Sequence, residues 1–288
     1  MAEATVLHAL TAPWGDPLMR RALLEVALVG IAGGALGCWV VLYGLSYSAE
    51  SLAHSLFPGL VVAALAGFPL ILGGAAGIVL AAVAVALAGR SPAIGGDTAV
   101  AVVITALFGA GVLLALSPAS PPGIQALLFG DLLGPSDSDL ALAGGLAAAI
   151  VVALAALHRR LLAVGFDREA ARGLGVSPVV TDAALLLLLA LAILVGVQGL
   201  GNLLVVAVLI GPAATARLLT RRAASMLALA GALAVAAGVG GLYLSYYANT
   251  AAGASVAGAI VVTYLVVRLA RAIAGWQYDR GRGEVATG

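Results

Sequence analysis

Glu50 and His54 lie four residues apart in the stretch Ser46-Tyr-Ser-Ala-Glu-Ser-Leu-Ala-His-Ser-Leu-Phe-Pro-Gly59. On a helix, residues at i, i+3, i+4, i+7 and i+8 share a face. Tyr47, Glu50, Ser51, His54 and Ser55 fit that set, with Pro58 one turn further on. The stripe therefore offers a carboxylate and an imidazole side by side, flanked by hydroxyls. That pair suits Zn²⁺ at ~2.0–2.2 Å, and it serves Mn²⁺ and Fe²⁺ as well. Two ligands hold an ion weakly, which fits passage better than storage. The same spacing also describes an ordinary i,i+4 pair near a membrane surface, and Pro58 alone describes a kink. His8 and His158 have no acid one turn before them and read as peripheral.

The elements that must position this stripe are apolar. Of 288 residues, 63% are hydrophobic and 9% charged, with a mean hydropathy of +1.15. A soluble domain carries about 25% charge, so the chain reads as all-α, a polytopic transmembrane helix bundle. Nine segments approach the ~20 residues a helix needs to span the bilayer: 21–44, 49–67, 70–88, 98–117, 138–158, 179–198, 202–219, 223–245 and 253–271. A count of eight follows if one segment beside Gly199–Gly201 fails to cross. Together they form one permease domain over 1–288, with an external segment 1–19 and a cytoplasmic tail 272–288. The net charge of +1 carries no nucleic-acid signature. The single cysteine, Cys38, reads as a small buried thiol.

All fourteen basic residues are arginine. Without lysine there is no P-loop of the G-x-x-x-x-G-K-[ST] type, so ATP hydrolysis, if it drives the protein, belongs to another chain. With nine spans, one side receives Arg90, Arg159, Arg160, Arg168, Arg172, Arg217, Arg221, Arg222, Arg268, Arg271, Arg280 and Arg282; the other receives Arg20 and Arg21. The positive-inside rule makes the first side cytoplasmic, with the C-terminus inside.

Other polar residues have local readings. Asp97 reads as an N-cap, and Asp182 as an acid in the first turn of its span, favoured by the helix dipole. Glu25 reads as snorkelling outward or pairing with Arg21. Gln198-Gly-Leu-Gly-Asn202 reads as a tight turn on the outer side, whose amides Gln198 and Asn202 could line a pathway. In the connection 118–139, Ile124–Leu133 is too short to cross and reads as a re-entrant helix or a surface loop. Phe166 to Val176 reads as a short amphipathic helix at the cytoplasmic face.

Several stretches, taken in order, resemble the permease subunit of bacterial zinc/manganese-type metal ABC importers. They are Trp39 to Ser46 leading into Glu50-x3-His54-x3-Pro58-Gly59; Gly95-Gly-Asp-Thr-Ala99 with Leu107-Phe-Gly109; Leu128-Phe-Gly-Asp131; Phe166-Asp167 through Gly175; Gly211-Pro-Ala-Ala-Thr-Ala-Arg217; and Gly241 to Tyr247 with Ala252-Gly-Ala254. The family usually has Asp where this chain has Glu50. Within the fourth stretch, Glu169-Ala170-Ala171-x3-Gly175 is similar to the E-A-A-x3-G loop of importer permeases.

The resemblance implies a type II ABC importer-like permease in the bacterial inner membrane. It implies a homodimer with a cytoplasmic ATP-binding subunit and an external metal-binding protein. ATP is then bound by the partner, and no cofactor is held permanently. Glu50 and His54 become a transient site for Zn²⁺ or Mn²⁺, Fe²⁺ included, with two copies offering four ligands. Phe166, Asp167, Glu169, Ala170, Ala171 and Gly175 become the ATPase-docking loop. A permease for a siderophore or cobalamin chelate is the nearest alternative, and an ion-coupled secondary transporter is another.

Overall fold

The computed structural model describes the backbone of residues 11–89, 96–118, 120, 124 and 136–285, and all of their side chains except those of 96, 97, 198, 199, 203 and 275–285. The re-entrant reading of Ile124–Leu133, the Leu128–Asp131 motif, His8, Arg90 and Gly95 therefore fall wholly or largely outside it, as do the Asp97 and Gln198 side chains.

Helices are α1 Pro17–Leu42, α2 Ser46–Ala66, α3 Leu70–Ala88, α4 Gly96–Ala115, α5 Asp137–Phe166, α6 Arg168–Gly173, α7 Pro178–Leu219, α8 Ala223–Ala248 and α9 Ala252–Val285. Local chemistry sets several ends. The Asp16 carboxylate accepts from the Leu18 amide just before Pro17, and Ser136 and Asp139 form a reciprocal capping box. Helix α1 begins at Pro17, within the segment 1–19. The expected tail, 272–288, continues α9 as helix to Val285.

Helix α7 is two spans. Gly201 adopts φ 76°, ψ 160°, a conformation that favours glycine, and helix runs on either side of it. Gly196 and Val205 pack together across the break. In a straight helix, nine residues would separate them by ~13 Å, so the chain reverses here. Among the described residues, nine helical segments are long and apolar enough to cross a membrane, the limbs Pro178–Val197 and Leu200–Leu219 counting separately.

Contacts fix which ends share a side. Gly30 packs on Ala234 and Gly238 on Val26, so α1 and α8 are antiparallel. Arg21 reaches Asp137 at 2.7 Å, which joins the starts of α1 and α5. Gly33 and Gly37 lie on Leu209, setting the second limb of α7 parallel to α1. Helix α2 is antiparallel to α3 through Gly59 and Gly73, and parallel to α4 through the Phe57–Phe108 pair. Arg159, Arg160, Arg168, Arg172, Arg217, Arg221 and Arg222 then share one side, and Arg20 and Arg21 lie at the other.

Helix α1 is the centre of the bundle, with 61% of its most apolar window buried; for α9 the figure is 11%. Small residues allow the close packing. A Cβ on Gly37 would fall on the Leu209 carbonyl oxygen. Gly37→Ala is therefore expected to destabilise the bundle by about 3 kcal/mol, the upper part of the overpacking range. A thermal-melting shift of purified protein would measure it, and an unchanged melting temperature would contradict this packing.

Candidate metal-transit site

Helix α2 carries the polar stripe into the bundle. The His54 Nε2 faces Glu50 Oε1 at 3.8 Å, too far for a hydrogen bond. An ion ~2.0–2.2 Å from each atom would fit between them. The opposite ring nitrogen, Nδ1, lies 3.3 Å from the Asn202 amide nitrogen. Phe108 of α4 stacks on the ring, centroids 4.3 Å apart and planes 41° tilted. Three elements therefore orient one imidazole: α2 supplies it, α4 backs it, and the turn inside α7 touches its far edge.

The expected tight turn is present and packed into the bundle. Leu200 and Asn202 are fully buried. Packing of the limbs against α1 and against each other holds the reversal inside the bundle. His54, two turns in from the start of α2, meets this turn coming from the opposite side.

The remaining stripe residues divide. Tyr47 is 52% exposed and the Glu50 side chain 59%, while Ser51 is partly buried. Ser55 is buried, and its hydroxyl donates to the Leu52 carbonyl at 2.8 Å; this back-bond takes it off the open stripe. Pro58 is buried against Gly111 of α4. It borders an apolar groove of about 430 Å³ between α2 and α3, lined by Gly59, Val62, Phe68 and Leu72. The described residues contain no cluster of three or more His, Cys, Asp or Glu able to hold an ion.

Two acids differ from expectation. Glu25 is buried at 4% exposure instead of snorkelling, and the neighbouring Arg21 also pairs with Asp137. Asp182 does more than meet a helix dipole: it takes two hydrogen bonds from Arg168, 2.8 and 3.1 Å. Sequence spacing could not show either pairing, because the partners sit on different helices.

The arginine-rich face is built around α6. The Asp167 carboxylate caps it, accepting from the Glu169 and Ala170 amides. Ala171 is buried beneath it, and Gly175 at φ 76° turns the chain away. Arg168 ties α6 to Asp182 of α7 and lies 5.9 Å from the Tyr43 ring. The hydrogen bond to Asp182 raises the Arg168 pKa further. Burial, with Asp182 nearby, pushes the Tyr43 hydroxyl up to about 12; it stays protonated and donates to the Leu161 carbonyl at 2.9 Å. A half-exposed ion pair is worth only ~0.2–1 kcal/mol, so Arg168 orients α6 more than it stabilises the fold. At either end of α6 stand Phe166, 96% exposed, and Leu174, 75% exposed.

Comparisons with known proteins place these features in context. The profile of the ABC 3 transport family matches residues 15–271. The manganese transport system membrane protein MntC of Listeria monocytogenes is 30% identical over 251 residues, covering 87% of this chain and 90% of that protein. The chelated iron transport system membrane protein YfeC of Yersinia pestis is 31% identical over 249 residues, covering 86% and 84%. Among solved structures, PsaBC from Streptococcus pneumoniae in complex with Fab superposes with a TM-score of 0.83 at 28% identity, covering 91% of this chain and 95% of that one.

Proposed function

The chain belongs to the ABC 3 transport family, and from that premise we propose that it is the membrane-spanning subunit of an importer for a divalent transition metal ion, Mn²⁺ foremost. The observation that carries this reading is the Glu50–His54 pair: a carboxylate and an imidazole nitrogen 3.8 Å apart, with Asn202 behind the ring. Carboxylate oxygen with one imidazole suits Mn²⁺ and Fe²⁺, the metals for which the relatives above are named. Zn²⁺ uses the same donors.

A second copy of the chain supports the site. Charged side chains in spanning helices face a bundle interior or a water-filled path. In the single chain, Glu50 and Tyr47 face outward. A homodimer joined along this face covers them and brings four ligands to one ion. Such a site is strong enough to admit the ion and weak enough to release it. The arginine-rich side is cytoplasmic, the C-terminus with it. There α6, with Phe166 and Leu174, receives the ATP-binding subunit, and an external metal-binding protein delivers the ion to the other side.

The test is uptake of Mn²⁺ into vesicles holding the permease with its ATP-binding partner. Uptake should require ATP inside the reaction and the partner subunit. ATP hydrolysis by this chain alone, or uptake driven by an ion gradient without ATP, overturns the proposal. Offering the same vesicles bare Mn²⁺ and a ferric chelate separates ion transport from chelate transport, the reading suggested by the Yersinia relative's name.

A further inference from the structure

We propose that Asn202 is a positioning residue that selects which ring nitrogen of His54 is free to take the ion, by turning its buried amide between two orientations. The proposal rests on the reading of Glu50 and His54 as the transit site.

The His54 ring is held on three sides. Nε2 looks toward Glu50, Nδ1 toward Asn202, and Phe108 covers a face. A neutral imidazole has one N–H donor and one bare nitrogen acceptor. With the Asn202 amide nitrogen against Nδ1, that N–H donates to Nδ1 and the ring proton sits on Nε2. The proton then points into the gap between His54 and Glu50, where an ion would have to bind. In this arrangement Nε2–H is directed at the carboxylate.

The same contact leaves a second group unsatisfied. Asn202 is fully buried, and its Oδ1 has no hydrogen-bond partner. Buried carbonyl oxygens are rarely left so, because the desolvation cost is not recovered.

One half-turn of the amide removes the first conflict, with Nδ2 taking the place of Oδ1. Oδ1 then accepts from a protonated Nδ1, and Nε2 presents its lone pair beside Glu50. The proton count is unchanged: one proton leaves Nε2 to water, one arrives on Nδ1 from water, and the ring stays neutral. Ligating histidines ordinarily donate their other N–H to an oxygen that fixes the tautomer, and Oδ1 would be that oxygen here.

An amide suits this position because its two ends are nearly the same shape but opposite in hydrogen-bonding sense. Aspartate could only accept and would hold the loaded tautomer. Alanine could hold neither. The backbone keeps the amide in place: Asn202 directly follows the Gly201 reversal, so its side chain reaches α2 from the turn between the two limbs of α7.

The experiment uses the full permease–ATPase complex, with ¹⁵N-histidine in the permease and Zn²⁺ as a diamagnetic probe. The chain has three histidines, and the His54 signals are those lost in His54→Gln. In the parent, the ring proton should be on Nε2 without metal and on Nδ1 with Zn²⁺. Asn202→Ala should weaken Zn²⁺ binding ~10–100-fold, the usual cost of losing a partner behind a metal ligand, and leave the tautomers mixed. Asn202→Asp should keep parent-like or tighter binding with the proton on Nδ1 throughout, while uptake slows because release is impeded. Melting temperatures of both variants separate misfolding from lost positioning.

The proposal is overturned if loaded parent keeps its proton on Nε2, or if folded Asn202→Ala binds Zn²⁺ as the parent does. A different result, Zn²⁺ leaving the His54 signals of the parent unmoved, would overturn the transit site itself and this role with it.

Discussion

Glu50→Ala and His54→Ala should each cut metal uptake by the reconstituted complex to about 1% of the parent or less. Losing even a group behind a metal ligand costs ~10–100-fold in affinity or activity, so losing a direct ligand should cost at least the upper figure. A homodimer sharpens the effect, because one substitution removes a donor from both copies. Ser55→Ala is the internal control. It lies on the same stripe in the sequence, yet its hydroxyl is committed to the Leu52 carbonyl, and uptake should stay near that of the parent. Glu50→Asp should retain part of the activity, since the carboxylate is kept on a shorter arm. Full uptake by Glu50→Ala would mean that the ion travels elsewhere.

Joint replacement of Phe166 and Leu174 by alanine should uncouple the permease from its ATP-binding partner. Both side chains are uncovered by the rest of the chain at either end of α6, 96% and 75% exposed. Large apolar side chains at an interface centre contribute about 2 kcal/mol or more each when truncated, and 1.4 kcal/mol is a factor of ten. The pair should therefore weaken association roughly 10²–10³-fold, read as co-purification of the partner and as ATPase activity stimulated by metal. Metal binding at Glu50 and His54 should persist, because α6 does not touch them. If stimulation survives in the double variant, the partner docks on another surface.

Much of the fold was legible because few physical variables set it. Length and apolarity marked most helix ends within a few residues, though α5 runs on to Phe166 and α9 to Val285, and the pooling of arginine matched the sides that helix packing assigns. What escaped notice needed three dimensions. The Gly199–Gly201 break reads as a tight turn on the outer side, since glycines announce a reversal but not what it packs against. The packing of Gly33 and Gly37 on Leu209 helps hold the second limb of α7 so that Asn202 meets His54. Arg21 pairs with Asp137, 116 positions on, because α5 starts beside α1. Ser55 shows the opposite error: its place on the helical face was right, but the bond its hydroxyl makes was not visible in spacing. Glu50 and His54 were adjacent in the sequence and are adjacent in space, so that part of the site needed only helical geometry.

The contact between α2 and α3 limits how such a protein can move. Gly59 meets Gly73 and Gly77 with no side chain between the two backbones. Contact of that kind has no slack: a helix cannot rotate in it without driving backbone atoms into backbone atoms. Helix α2 touches α4 closely as well, through Pro58 on Gly111. Swivelling α2 alone to present Glu50 and His54 first to one compartment and then to the other is therefore mechanically barred. A shift of α2 must carry α3 and α4 with it.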